Sequence, residues 1–170
     1  MANTFEALAT VTGGSGGAAN IEFTSIPATY TDLCIMYSLR DTVAQDVNNI
    51  LLTINGTSSG YSDRSLYGDG SAASSGNRSN VNIALFYCNS ASATSNTFNN
   101  GSTYIPNYAG SNNKSISTDS VTENNATTAF SGLNAALWSN SAAITSIKFA
   151  SNGGNWVQYS TATLYGIKNS

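Results

Sequence analysis

Short runs in which apolar and polar residues alternate recur along this chain, and most of them end at glycine, asparagine or proline. Successive side chains of a β-strand point to opposite faces, so a period of two predicts half-buried strands. Near the C-terminus, for example, Ile147 and Phe149 alternate with Ser146 and Lys148. The predicted strands cover residues 5–11, 21–26, 32–40, 49–54, 61–67, 81–88, 103–105, 114–121, 130–138, 144–149 and 159–166.

The last two of these runs predict a β-hairpin. They are joined by a segment that includes residues 151–155, whose glycines and asparagines tolerate the positive φ angles of a turn. Because the final run would then complete a sheet, the whole chain, residues 1–170, is expected to fold as one domain.

Three runs carry additional information about their place in a sheet. Pro106 cannot donate to a strand ladder, so residues 103–105 are predicted to lie at a sheet edge. Residues 32–40 are apolar on both faces, which predicts a central strand covered on both sides or partly in an interface. Alternation favours a strand at residues 130–138, although the apolar residues there also fit one face of a helix, which remains the alternative.

The pattern as a whole predicts an all-β protein: a single antiparallel β-sandwich, jelly-roll-like in topology. The polar segments at residues 68–80 and 89–102 are predicted to be long loops. Residues 1–17 end in a glycine-rich stretch and are predicted to form an N-terminal arm that becomes ordered only on assembly.

Charge is scarce, which excludes some classes of partner. Charged residues make up 9% of the chain, the formal net charge is −3, and Lys and Arg together number 6. Six scattered cations cannot neutralise a phosphate backbone, so nucleic acid is not an expected partner. The sequence has neither an apolar run of about 20 residues nor a basic amphipathic helix, so no membrane association is expected.

The inventory of reactive side chains is equally short. The chain contains no histidine, which excludes Ser-His-Asp and Cys-His catalysis and histidine-ligated metals. Asp63 with Asp69, and Asp119 with Glu123, are the carboxylate pairs that could meet across a cleft as in a glycosidase. Such pairs arise by chance in a small sandwich, and calcium at Asp63 or Asp69 would need a denser acidic loop. We therefore expect no enzyme and assign no catalytic, cofactor-binding or metal-binding residue.

The arginines and cysteines are expected to have structural roles. Arg40, Arg64 and Arg78 are predicted to anchor backbone or a neighbouring subunit at the surface rather than to clamp a ligand. Cys34 and Cys88 lie in predicted strands, where small buried thiols are the expectation. A disulfide between them stays open, because two cysteines do not define a framework.

Nine tyrosines in a chain rich in serine, asparagine and glycine indicate a binding or structural module. This composition suits contacts between subunits as well as contacts with carbohydrate, and by itself it does not choose between the two.

Five segments carry a resemblance to a known family. They are FEALATVTGGSGGAANIEFTSIPATYTDL (5–33), LLTINGTSSGYS (51–62), LYGDGS (66–71), WSNSAAITSI (138–147) and YSTATLYGIK (159–168). Together they resemble a group of small virion proteins of tailed bacteriophages, which are similar to jelly-roll sandwiches and serve as head decoration or tail-fibre components. Cys34 and Met36 depart from the aliphatic residues expected in their strand, which puts the packing of that strand in doubt.

The resemblance implies a structural protein of the virion, assembled in the host cytoplasm. We expect a capsid decoration (cement) protein that binds the outer surface of the major capsid protein as a homotrimer and stabilises the shell. The sequence shows no coiled-coil or shaft-like segment, which favours the head over the tail. The alternative is a tail-fibre or receptor-binding module that contacts other tail proteins or host surface glycans.

Overall fold

A computed structural model describes residues 4–79, 82–126 and 128–168. Within these ranges the chain forms twelve β-strands and no helix. The strands are β1 (Phe5–Thr12), β2 (Asn20–Phe23), β3 (Asp32–Ser38), β4 (Val47–Ile54), β5 (Tyr61–Gly68), β6 (Ala73–Ser79), β7 (Ile83–Asn89), β8 (Asn100–Ile105), β9 (Lys114–Val121), β10 (Ser131–Trp138), β11 (Ile147–Ser151) and β12 (Thr161–Ile167).

The strands form two antiparallel sheets. The larger has the order β1-β12-β3-β8-β9-β10-β5-β6, and the smaller has the order β2-β11-β4-β7. Without β5, β6, β9 and β10, and with the remaining strands renumbered in sequence, the two orders become 1-8-3-6 and 2-7-4-5. This interleaving of two four-stranded sheets is that of an eight-stranded jelly roll. The four additional strands form two hairpins that extend the larger sheet on one side.

The core lies between the two sheets and follows directly from the alternation in the sequence. In β9, buried and exposed residues alternate at every position, and β10 follows the same pattern almost throughout. The largest fully buried side chains include Trp138, Trp156, Tyr108 and Phe149. Each large apolar side chain buried in this way contributes roughly 1.5–3 kcal/mol, which makes this layer the main source of stability.

The structure confirms the predicted all-β sandwich and its jelly-roll topology. Within residues 130–138, Ser131–Trp138 form strand β10, so the helical alternative is wrong. Residues 32–40 contain a central strand, because β3 lies between β12 and β8. The Asn55-Gly56 turn is also present, with φ angles of 49° and 69°.

The predicted C-terminal hairpin is wrong. β11 pairs with β2 and β4 in the smaller sheet, whereas β12 pairs with β1 and β3 in the larger one. The segment between them crosses from one sheet to the other and is held midway by Trp156, which is fully buried and bridges to Ala18 and Asp41. The burial of this tryptophan between the sheets outweighs the local preference for a tight turn.

Three further predictions on strand placement are corrected. The predicted loop at residues 68–80 contains edge strand β6, and the predicted loop at residues 89–102 runs into β8. The segment before Pro106 is central, since β8 lies between β3 and β9. Pro106 follows the last strand residue, so it removes no hydrogen bond from the ladder.

The predicted arm at residues 1–17 is also different in the structure. Residues 1–3 lie outside the described part of the chain. From Phe5 onward the segment is strand β1, which pairs with β12 within the single chain. Gly13 and Gly17 then lie so close to the backbone of residues 156–157 that a Cβ on Gly17 would be 2.4 Å from the Trp156 carbonyl oxygen. This segment is therefore part of the sandwich before any assembly.

Candidate functional site

The larger sheet has one side that faces away from the smaller sheet, and we call this side the outer face. One continuous row of laterally paired residues crosses it through all eight strands. The row runs Thr10, Thr163, Met36, Ser102, Asp119, Leu133, Leu66, Ser75. Because the pairing is in register from edge to edge, the outer face presents one continuous surface.

Among the described residues, most of the large hydrophobic side chains that remain exposed lie on this outer face. Leu133 is 59% exposed and Leu66 is 56% exposed, and the two are directly opposite each other on β10 and β5. Met36 in β3 is 52% exposed. The others are Tyr104, Val121 and Phe5, the last of which packs on Tyr165 with ring centroids 4.8 Å apart. Exposed apolar side chains gathered on one face indicate an interaction surface.

The charged groups near the centre of the outer face are few and of both signs. Asp119 accepts a short hydrogen bond from Ser102, and Arg64 donates to its neighbouring backbone carbonyl at 2.8 Å. At the start of β3, Asp32 accepts hydrogen bonds from the Tyr104 hydroxyl at 2.6 Å and from the Asn107 amide at 2.8 Å. The hydrogen bond to Asp32 stabilises the protonated phenol of Tyr104. This bond, with a smaller contribution from partial desolvation, raises the pKa of Tyr104 to about 12.

The first predicted carboxylate pair, Asp63 with Asp69, is not brought together. Asp63 is buried on the inner side of β5 and lies 3.6 Å from Arg78. Asp69 lies in the exposed turn after β5, where it accepts hydrogen bonds from Ser71 and from the backbone of Ala72. These bonds to the carboxylate lower the pKa of Asp69 to about 2. Its role is to hold the β5–β6 turn.

The second predicted pair, Asp119 with Glu123, is also separated: Asp119 is on the outer face, and Glu123 lies beyond the end of β9. Glu123 accepts a hydrogen bond from the Asn125 backbone at 2.7 Å. It shares a small cleft of about 200 Å³ with Asp69, a combination that sequence spacing did not indicate. Both carboxylates in this cleft bind their own turns. Among the described residues there is no cluster of three or more potential metal ligands of the His, Cys, Asp and Glu types.

The cysteines are free thiols. Cys34 is half-buried on the outer face, whereas Cys88 is fully buried in the smaller sheet, so no disulfide links them. The Cys88 thiol donates to the Asn48 carbonyl at 3.4 Å. Burial, with a contribution from nearby Asp41, raises the pKa of Cys88 well above its usual value, which keeps this thiol protonated and unreactive.

The arginines were predicted to be surface anchors. Arg64 is exposed and Arg78 is 40% exposed, but Arg40 is only 8% exposed. Its guanidinium donates to four backbone carbonyl oxygens at 2.8–3.3 Å, those of Ala91, Ala93, Thr94 and Thr97. Arg40 is therefore a buried anchor that organises the loop between β7 and β8.

Beside this anchor lies a second concave feature, which we call the Arg40 cleft. It has a volume of about 510 Å³ and is lined by Arg40, Asn96, Phe98, Val157, Gln158 and Tyr159. Tyr159 is the most exposed large hydrophobic side chain among the described residues, at 68%. Sequence reasoning placed Tyr159 in a strand. Its φ of 71° and its position in the crossing between the two sheets were not visible from alternation.

Comparison of the chain with models of protein families, with curated proteins and with solved structures gives no match. Within its described residues, the chain has no helix of the length and apolarity needed to cross a membrane.

Proposed function

We propose that this protein is a structural subunit of a phage virion, a capsid decoration protein that self-associates as a trimer and binds the major capsid protein. The observation that carries the proposal is the outer face, on which Leu66, Leu133 and Met36 are exposed in one paired row. The segments that resemble small phage virion proteins support the same assignment.

The occupant that fits the outer face best is a further copy of the same chain. Eight strands about 4.8 Å apart and about 7 residues long give a face of roughly 800 Å². This is about the area that each partner contributes to a stable protein interface. Three such faces turned toward a threefold axis would bury the exposed leucines of every copy.

The charges on the face are compatible with this arrangement. Asp119 and Arg64 have opposite signs and are separated by β10 on their own sheet. Copies that meet across the face can pair Arg64 of one with Asp119 of the next, so no like-charge repulsion opposes the contact. Ion pairs between exposed side chains of this kind fix orientation more than they add affinity.

Stabilisation of the shell follows from mass action. A subunit that binds only the assembled shell lowers the free energy of that state relative to the disassembled one. Each trimer would present three linked copies of the same capsid-binding surface. Because linked contacts reinforce one another, each contact with the capsid can be weak.

The experiment that tests the proposal is the copy number of this chain, measured against the major capsid protein in purified virions by quantitative mass spectrometry. A decoration protein is expected at on the order of hundreds of copies per particle, with capsids that lose thermal stability when it is absent. A few tens of copies or fewer, confined to isolated tails, would instead assign the chain to the tail-fibre or receptor-binding class. Absence of the chain from purified virions would refute both.

A further inference from the structure

We infer that the Arg40 cleft is a binding site for a neutral saccharide, held between the rings of Tyr159 and Phe98 and the side-chain amides of Asn96 and Gln158. The cleft lies at the end of the sandwich where β3 finishes and β12 begins. None of the residues that line it belongs to a strand of the larger sheet, so sugar binding can be tested independently of the proposed assembly.

The cleft is large enough for a small organic ligand. Its volume of about 510 Å³ is within the range of roughly 300–1,000 Å³ that is typical of small-molecule sites. Two aromatic rings, one aliphatic side chain and two amides line it, the mixture of apolar surface and few polar groups that such sites show.

Both walls of the cleft are fixed by the same residue. The guanidinium of Arg40 binds the carbonyls of Thr94 and Thr97, which hold the loop that carries Asn96 and Phe98. The backbone carbonyl of Arg40 accepts hydrogen bonds from the Val157 amide and the Ser160 hydroxyl, both at 2.9 Å, on the opposite wall. A site whose walls are already fixed loses little entropy on binding.

Two exposed residues of the lining have left-handed backbone conformations, which asparagine tolerates but which are unfavourable for tyrosine. Tyr159 has a φ of 71° and Asn96 a φ of 61°. In Tyr159 this conformation is secured by an amide hydrogen bond to the Gly13 carbonyl at 3.0 Å. Left-handed conformations in non-glycine residues gather at ligand sites, where the surrounding structure enforces them. Here the conformation presents an aromatic ring to solvent.

The lining groups match a sugar. The C–H face of a pyranose ring packs on an aromatic ring, and Tyr159 and Phe98 supply that surface. Each side-chain amide carries both donors and acceptors, which is what neighbouring hydroxyl groups require. Asn96 and Gln158 supply these groups, and both are exposed.

The charge of the lining selects a neutral ligand. No carboxylate lines the cleft, so it has no negative charge to pair with a cationic ligand or a metal. The one charged side chain in the lining, Arg40, already directs its guanidinium to four backbone carbonyls. Four of the five guanidinium N–H donors are occupied in this way, so an anionic sugar is left with the Nε–H alone unless it takes donors away from the loop that they hold.

The test is saturation-transfer and chemical-shift NMR on the full chain. The probes are methyl β-glucopyranoside, methyl β-galactopyranoside and N-acetylglucosamine, each at about 10 mM because a small ligand in an open cleft binds weakly. N-acetylneuraminic acid is the anionic comparison. We expect transfer to the ring C–H protons of at least one neutral sugar, with shift changes confined to residues 96–98 and 157–159. No transfer to any neutral probe, or binding of the anionic sugar alone, would overturn the inference.

Substitutions of Tyr159 distinguish stacking of the sugar on its ring from a general loss of structure. Tyr159→Ala is expected to weaken binding about tenfold, whereas Tyr159→Phe keeps the ring and is expected to stay within about twofold. Tyr104→Ala removes an exposed tyrosine from the outer face and is expected to leave the affinity unchanged. Equal affinity in Tyr159→Ala and the unmodified protein, with both folded by their NMR spectra, would show that the sugar binds elsewhere.

Discussion

Arg40 and Asp41 are consecutive, buried and opposite in charge, and yet each side chain holds a different part of the molecule. The Arg40 guanidinium is bonded to backbone carbonyls of the loop between β7 and β8. The Asp41 carboxylate accepts hydrogen bonds from the Asn48 amide at 2.7 Å and from the Ser151 hydroxyl at 2.6 Å. Two adjacent residues thus connect the end of β3 to a loop on one side and to β4 and β11 on the other.

Replacing Arg40 by methionine keeps most of the apolar stem and removes every donor. We expect the free energy of unfolding to fall by about 3 kcal/mol, because buried carbonyls lose charged hydrogen-bond donors. Urea unfolding measures the loss, and hydrogen exchange should show faster exchange at residues 91–99. Arg64→Met, at an exposed arginine, is the matched control and should change stability by less than about 0.5 kcal/mol. Equal effects of the two substitutions would contradict the anchoring role.

Leu133→Asp tests self-association through the outer face. Because Leu133 is 59% exposed, a carboxylate there costs the isolated chain only about 0.2–1 kcal/mol, through repulsion by Asp119 on the neighbouring strand. In the proposed assembly the same carboxylate is buried without a partner. We expect the dissociation constant of the oligomer, measured by analytical ultracentrifugation, to rise at least about hundredfold. Ser58→Asp, at an exposed position in the loop between β4 and β5, should leave it unchanged. A Leu133→Asp oligomer as tight as the unmodified one would exclude this face as the interface.

The backbone at Tyr159 predicts an unusual order of stabilities. Glycine adopts a φ of 71° freely, whereas alanine keeps the steric cost of the left-handed conformation. Tyr159→Gly should therefore be more stable than Tyr159→Ala by about 1 kcal/mol, measured by thermal unfolding. At a residue of ordinary φ the order is reversed, so a more stable alanine variant would argue against this conformation in solution.

Alkaline pH should destabilise the fold through its tyrosines. The pKa of Tyr104 is raised from 10.0 to about 12, and burial raises the pKa of Tyr37 as well. Between pH 10 and 12 the folded state holds a proton on Tyr104 that the unfolded state has released. The contribution of Tyr104 to stability is therefore constant below pH 10 and falls from pH 10 to 12. Denaturant titrations across this window should show a shallower fall for Tyr104→Phe.

Lys114 also contributes to the pH dependence of stability, so the test compares Tyr104→Phe with the unmodified protein. Burial lowers its pKa from 10.5, which makes stability rise with pH until that value is reached. Its contribution is the same in the unmodified protein and in Tyr104→Phe and therefore cancels. Identical pH dependence of the two proteins above pH 10 would contradict the role given to the Tyr104–Asp32 hydrogen bond.

Alternation was sufficient for the sandwich and most of its strands, because burial at every second position leaves its pattern in the sequence. It failed where that pattern is absent: β6, ASSGNRS, has no large apolar residue and is an exposed edge strand. It also failed where partners are distant, since nothing local distinguishes a β11–β12 hairpin from a crossing held by Trp156.

The outer face and the Arg40 cleft also differ in how far the sequence predicts them. The low charge content of the sequence predicted a surface with few charges. The gathering of exposed apolar side chains on one face depends on strand pairing, such as that of Leu66 with Leu133. The Arg40 cleft depends on carbonyl oxygens from residues 91–97, and backbone groups carry no sequence signature. The left-handed conformation of Tyr159 likewise results from hydrogen bonds made by the folded backbone.

The pairing of β1 with β12 places Phe5 opposite Ile167 and has a consequence for biosynthesis. The first strand cannot find its neighbour until the last one has been translated, which takes roughly 10–30 s at about 5–20 residues per second. During that time its edge is open to nascent chains on adjacent ribosomes. Closure therefore waits until β12 has emerged from the ribosome, and until then the free edge of β1 is exposed to cross-pairing.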